Sequence, residues 1–204
     1  MNIITIKLLC AAAATVLMFI GYVPYLKDLF AKKTQPHLYT WVIWAITASI
    51  ATAGVIVGGG KLGAVPMVLG TTLVIFVCLL SFKYGSKNIT TSDTVTLIGA
   101  LLAIIVWVQL KSPLLAVLLA TTIDAFGYIP TFRKTYSEPW SETSIFWLAM
   151  SFNSFLSIAA LGKYNLLTVT YLGLLGIANI LLFLLIVYRR KFIHTKRPPA
   201  KLAV

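Results

Sequence analysis

The sequence predicts an all-α integral membrane protein: seven transmembrane helices in 3+1+3 order, two parallel three-helix repeats joined by one linker helix. Three observations predict it. Hydrophobic residues make up 59% of the 204 and charged residues 11%, at a mean hydropathy of +0.93, more apolar surface than a water-soluble domain can bury. Seven apolar stretches approach or reach the roughly 20 residues of helix that a bilayer crossing takes. The chain also matches itself at an offset of 106 residues.

The stretches cover about 4–29, 37–58, 63–83, 93–110, 113–135, 143–162 and 166–188. The first has the outline of a secretory leader, with one lysine and an apolar run. That run continues into Gly21–Phe30 and has a counterpart deep in the chain, so we read it as a retained helix. Short connections carry the turn residues: Gly58-Gly59-Gly60-Lys61, Tyr84-Gly85-Ser86-Lys87-Asn88, Lys111-Ser112-Pro113 and Gly162-Lys163-Tyr164-Asn165. The units are 1–90 as the first repeat, 91–112 as linker helix four, 113–190 as the second repeat and 191–204 as a basic cytoplasmic tail. Cys10 and Cys78 lie in apolar runs and read as packing residues, with no disulfide implied.

Lysine and arginine set the orientation. With the N-terminus outside and the C-terminus cytoplasmic, the inner side holds Lys27, Lys32, Lys33, Lys83, Lys87, Arg133, Lys134, Arg189, Arg190, Lys191, Lys196, Arg197 and Lys201. The outer side holds Lys7, Lys61, Lys111 and Lys163, a ratio of thirteen to four that the positive-inside rule decides. The net charge of +12 is thereby assigned to anionic lipid headgroups at the inner face, and no nucleic-acid partner is implied. The expected location is a bacterial inner membrane.

The repeat aligns GYVPYLKDLF at Gly21–Phe30 with GYIPTFRKTY at Gly127–Tyr136 without gaps. Gly21, Tyr22 and Pro24 match Gly127, Tyr128 and Pro130, and the same register pairs Trp41 with Trp147 and Leu69-Gly70 with Leu175-Gly176. The offset maps helices one, two and three onto five, six and seven. Repeats that begin four helices apart run in the same direction, related by an axis along the membrane normal, with helix four as the inverting linker.

A 3+1+3 order with a proline in the first helix of each triplet and a basic loop after it resembles the PQ-loop/SWEET (MtN3-like) superfamily. That group includes sugar transporters, lysosomal amino-acid exporters and the KDEL receptor. Pro24-Tyr25 and Pro130-Thr131 stand where the family carries Pro-Gln, so both glutamines are replaced. The segment KKTQPHLYTW at Lys32–Trp41 looks more like a bacterial branch of multi-helix membrane proteins. The resemblance implies that Pro24 and Pro130 are hinges of an inner gate, and it suggests a substrate-contacting asparagine in helix seven, which falls on Asn179.

The residues themselves supply the rest. Pro24 and Pro130 each remove a backbone hydrogen bond inside a helix, which makes either a hinge or a fixed kink. Asp124 is the acidic residue well inside a predicted span, where an ionised carboxylate costs at least about 2.5–3.5 kcal/mol. It shares a face with Thr121, Tyr128 and Thr131, a polar stripe fit to couple a proton, to contact a cationic or hydroxylated substrate, or to anchor a neighbouring helix. Its counterpart at the offset is Met18. Helix two presents Thr40, Trp44, Thr47 and Ala51 on one face, and the offset maps these onto Phe146, Met150, Asn153 and Ser157. An aromatic or soft apolar residue one turn from a hydroxyl or amide suits a small organic ligand, so Trp44, Thr47, Tyr128, Met150, Asn153 and Asn179 are the candidate substrate contacts. The same polar residues also serve as interhelical glue. Trp41 and Trp147, near helix starts, fit an interfacial aromatic belt.

No Cys/His/Asp cluster has metal-ligand spacing, no phosphate-cradling loop occurs, and no acid–base dyad is present, so the expectation is no metal, no cofactor and no enzyme. Glu138 and Glu142 are expected to pair with Arg133 and Lys134 on the inner surface. The leading reading is a small-molecule transporter working by alternating access on a small polar or amphipathic solute, with Asp124 coupling it to protons. The alternatives are a KDEL-receptor-like binding protein and a lipid-handling protein that moves no solute. Two triplets in one chain make a monomer sufficient, with an oligomer possible.

Overall fold

The computed structural model describes residues 2–86 and 90–193, with part of the side chains of helix α4. Lys87, His194, Lys196, Arg197 and Lys201, and with them most of the expected basic tail, lie outside the described residues. The chain order is α1 (Ile3–Phe30), α2 (Leu38–Val57), α3 (Ala64–Tyr84), α4 (Thr91–Leu110), α5 (Pro113–Ser137), α6 (Ser144–Ala159) and α7 (Leu166–Arg190), and among the described residues no strand occurs. Five of them, α1, α2, α3, α5 and α7, are long and apolar enough to cross a membrane. The other two expected spans fall on α4 and on α6. At 16 residues α6 is shorter than expected, about 24 Å at 1.5 Å per residue. The chain leaves it because Gly162 N–H donates to the Gly60 carbonyl at 3.0 Å, drawing the following turn onto the α2–α3 connection.

Local chemistry accounts for the helix ends. Asn2 caps α1 by accepting from Ile4 N–H at 3.3 Å, and Ser112 caps α5 with Pro113 in its first turn, where a missing N–H costs nothing. Asn165 and Thr168 form a reciprocal capping box on α7. In α1 the buried positions Ala11, Ala14, Met18, Gly21, Tyr25 and Leu29 step by three or four residues, one stripe facing the interior. The opposite side exposes Ile3, Leu9, Val16, Phe19 and Val23, as a lipid-facing surface does.

Successive helices alternate in direction. The α1–α2 and α5–α6 connections and the end of α7 meet at one end of the molecule, where Lys27, Lys32, Lys33, Lys83, Arg133, Lys134, Arg189, Arg190 and Lys191 lie. At the opposite end the α2–α3 and α6–α7 connections meet: Asn165 Nδ2 donates to the Gly58 carbonyl at 3.1 Å, and Lys7 Nζ donates to the Leu161 carbonyl. Helix α1 packs on α6 and α3, while α5 packs on α2 and α7. Helices α2 and α3 pair, as do α6 and α7, and α4 lies against α5 and α2.

Candidate functional site

Six helices, α1, α2, α3, α5, α6 and α7, surround a central cavity of about 90 Å³, counted over the positions a water centre can occupy. Its walls are largely aromatic: Tyr22, Trp41, Trp44, Tyr128, Phe146 and Trp147 line it from α1, α2, α5 and α6. Their rings form one connected set, with centroids 4.9 Å apart for Trp44–Tyr128, 6.3 Å for Tyr128–Trp147 and 5.0 Å for Tyr22–Phe146. Met18, Met67 and Met150 add soft, adaptable surface.

Asp124 sits in this wall fully buried. Its Oδ1 accepts from the Thr47 hydroxyl on α2 and from the Tyr171 hydroxyl on α7 at 3.1 Å, so the carboxylate ties three helices together. Its Oδ2 has no hydrogen-bond partner among the described residues. Trp44 Nε1 on the same wall is likewise buried without a partner among the described residues, whereas several other polar groups of the wall are engaged within the protein. Tyr128 OH donates to Asn179 Oδ1 at 2.9 Å, Asn153 Nδ2 donates to the Ala14 carbonyl at 2.7 Å, and Ser154 Oγ donates to the Met150 carbonyl. Thr71 shares a hydrogen bond with Thr52 at 2.7 Å.

Of the candidate contacts, Trp44, Tyr128, Met150, Asn153, Asn179 and Asp124 converge on this one cavity. Thr47 is buried behind it and reaches it through Asp124. Pro24 and Pro130 lie inside α1 and α5, half-buried, and neither lines the cavity. Trp41 and Trp147 depart from the expected interfacial belt: both are buried in the wall, each packed among other rings. Tyr171 was not foreseen. A tyrosine near a helix start reads as a belt residue, yet the spacing Tyr171, Leu175, Asn179 puts it on the face Asn179 already marked.

Two glycines let the walls close. A side chain at Gly21 would meet Met150 Cε at 3.0 Å and Ala149 at 3.2 Å, and one at Gly127 would meet Trp44 Nε1 at 3.0 Å and Ile43 at 3.7 Å. So α1 touches α6 through Gly21 with the same register by which α5 touches α2 through Gly127.

At the basic end, the connections of the two halves interlock. Thr143 donates to Asp28 Oδ2 at 2.8 Å and lies 2.8 Å from the Thr34 hydroxyl, while Lys134 Nζ donates to the Gln35 carbonyl at 2.8 Å and pairs with Glu142 at 2.9 Å. The expected Lys134–Glu142 pair therefore forms, but Glu142 is buried, and Arg190 holds its backbone carbonyl at 2.7 Å. Glu138 is exposed.

The helices and the cavity together define a class: a protein all-helical among its described residues, with five helices long and apolar enough to cross a membrane and an aromatic, mostly apolar cavity holding one carboxylate. No family model matches the chain, and neither a curated protein nor a solved structure matches it.

Proposed function

We propose that the protein is a small-molecule transporter of the PQ-loop/SWEET type working by alternating access, with α1–α3 and α5–α7 as two parallel repeats and α4 as their linker. The observation that carries this reading is the central cavity, which both triplets line and whose buried carboxylate leaves one oxygen unused. The helix contacts support the repeat. Exchanging α1, α2 and α3 for α5, α6 and α7 turns the α1–α6 contact into α5–α2, α1–α3 into α5–α7 and α2–α3 into α6–α7, and all of these occur. The offset of 106 also carries Gly21 against Ala149 and Met150 onto Gly127 against Ile43 and Trp44.

Pro24 and Pro130 flex α1 and α5 just beyond the cavity, toward the basic end, and the Asp28–Thr143 and Lys134–Gln35 bonds hold that end shut. The basic end faces the cytoplasm of a bacterial inner membrane, and the N-terminus lies outside. Asp124 carries the coupled proton. The other titratable groups on the cavity wall are Tyr22, Tyr128 and Tyr171, and no lysine, arginine or histidine lines that wall. No catalytic function is assigned.

The test is a thermal-stability screen of purified protein against amino acids, sugars, nucleosides and vitamins at two pH values. A ligand at 100 times its Kd stabilises by about 2.7 kcal/mol, which makes a binder visible before any transport assay. Uptake of that binder into proteoliposomes is expected to depend on pH, and Asp124→Asn to abolish the dependence. Unchanged pH-dependent uptake in that variant rules the coupling out. A second reading, lipid handling, is favoured by an apolar groove on the outside of α5 and α7, lined by Ile129, Phe132, Leu174, Ile177 and Leu181, which shares Tyr128 with the cavity. Co-purified acyl chains in place of solute binding would select it.

A further inference from the structure

We propose that the central cavity takes a small organic cation, a primary or quaternary amine with a compact apolar or singly hydroxylated body. The proposal rests on the reading of this cavity as the solute site and goes further by naming the chemistry of the solute.

Charge makes the first selection. Asp124 is the one side chain among the lining residues drawn from Asp, Glu, Lys, Arg and His. An anionic solute meets that carboxylate with no cation to balance it. A cationic solute supplies the missing counter-charge and an N–H or N–CH group for Oδ2, the oxygen without a partner.

The walls make the second selection. Trp41, Trp44, Tyr128 and Trp147 present a continuous aromatic surface, with Trp41–Trp44 at 5.4 Å and Trp44–Trp147 at 6.1 Å between centroids. Ring faces carry negative quadrupole charge and attract ammonium groups, most strongly where water is excluded, and such cages are a recurrent means of recognising quaternary ammonium.

The polar inventory makes the third. A sugar brings many hydroxyls that lose water on binding and must be bonded again. Asn153, Ser154, Thr71, Tyr128 and Tyr171 already spend hydrogen bonds inside the protein and Trp44 Nε1 remains an unpartnered donor, so the wall offers a polyol few replacements. Size agrees. About 90 Å³ of space for water centres is small for a ligand site, which suits a compact solute on the scale of choline or a short amine.

The experiment uses the full chain purified in detergent. Thermal stability and intrinsic tryptophan fluorescence are titrated with choline, tetramethylammonium and ethanolamine. The comparisons are 3,3-dimethylbutan-1-ol (the uncharged isostere of choline), glucose, and sodium chloride at matched ionic strength. At least one amine is expected to stabilise the protein saturably and to bind about tenfold or more tighter than the uncharged isostere, a difference that Asp124→Asn removes and Trp147→Leu reduces. Equal binding of the isostere, tighter binding of glucose, an equal effect of sodium, or an undiminished preference in Asp124→Asn each overturns the proposal. If Asp124→Asn does not fold, the comparison of amine with isostere on the unaltered protein decides alone. Proteoliposome uptake separates the two readings. Amine binding without uptake removes the transporter and leaves the cation site, while uptake of a neutral solute without amine binding removes the cation and leaves the transporter.

Discussion

Asp124 accepts two hydrogen bonds on one oxygen and none among the described residues on the other, so it ties α5 to α2 and α7 with one oxygen to spare. Thr47→Val removes one donor while keeping the volume of the side chain nearly constant, and is expected to lower thermal stability by about 1–2 kcal/mol. Tyr128→Phe breaks the bond to Asn179, and interhelical bonds of this kind in membranes average about 0.6 kcal/mol, so it should be the milder change. Thermal unfolding of both variants in one detergent checks the order, and a larger loss from Tyr128→Phe would contradict it. Most of this site was legible in the sequence because a carboxylate and two amides stand out in apolar helices. Tyr171, Trp41 and Trp147 were not, since amphipathic rings near helix starts satisfy the belt rule and the cavity wall equally well.

Helix contacts place different demands on Gly21 and Gly127. The atom that a methyl group at Gly21 would meet first is the flexible end of Met150, whereas at Gly127 it is the rigid indole of Trp44, already wedged among rings. Gly127→Ala is therefore expected to cost about 1–3 kcal/mol and to shift tryptophan emission, while Gly21→Ala stays within about 1 kcal/mol, helped by the better helix propensity of alanine. Thermal unfolding and emission spectra of the pair test this, and equal effects would contradict it. The interlocked connections give a second prediction at this scale. In a chain with Cys10 and Cys78 replaced by alanine, Thr143→Val should raise maleimide labelling of Tyr22→Cys severalfold, because it removes the hydrogen bond that Asp28 accepts. Unchanged labelling would mean that Thr143 does not hold the basic end closed. Apart from the end of α6, helix bounds were readable to within two residues from hydropathy and from the turn residues of the short connections. The early end of α6 was not, because it depends on Gly162 meeting Gly60 across the fold.

Across the whole molecule, the alternation of helix direction gathers nine described basic residues at one end, from Lys27 to Lys191, against Lys7, Lys61, Lys111 and Lys163 at the other. On the proposed topology, Lys61→Cys and Lys163→Cys should react with an impermeant maleimide in intact cells, and Lys32→Cys and Lys83→Cys only after permeabilisation. The reverse pattern would invert the orientation. The offset of 106 was visible because glycine, tyrosine and proline recur together; which helices would touch was not, since packing partners depend on side chains far apart in the chain.

At that offset Asp28 stands opposite Lys134: equivalent positions, unlike charges, each bonded to the connection of the other half. Two copies of residues 1–90 would bring two aspartates to that seam and no lysine at this position. The two matched positions hold the basic end by opposite chemistry, an acceptor at Asp28 and a donor at Lys134.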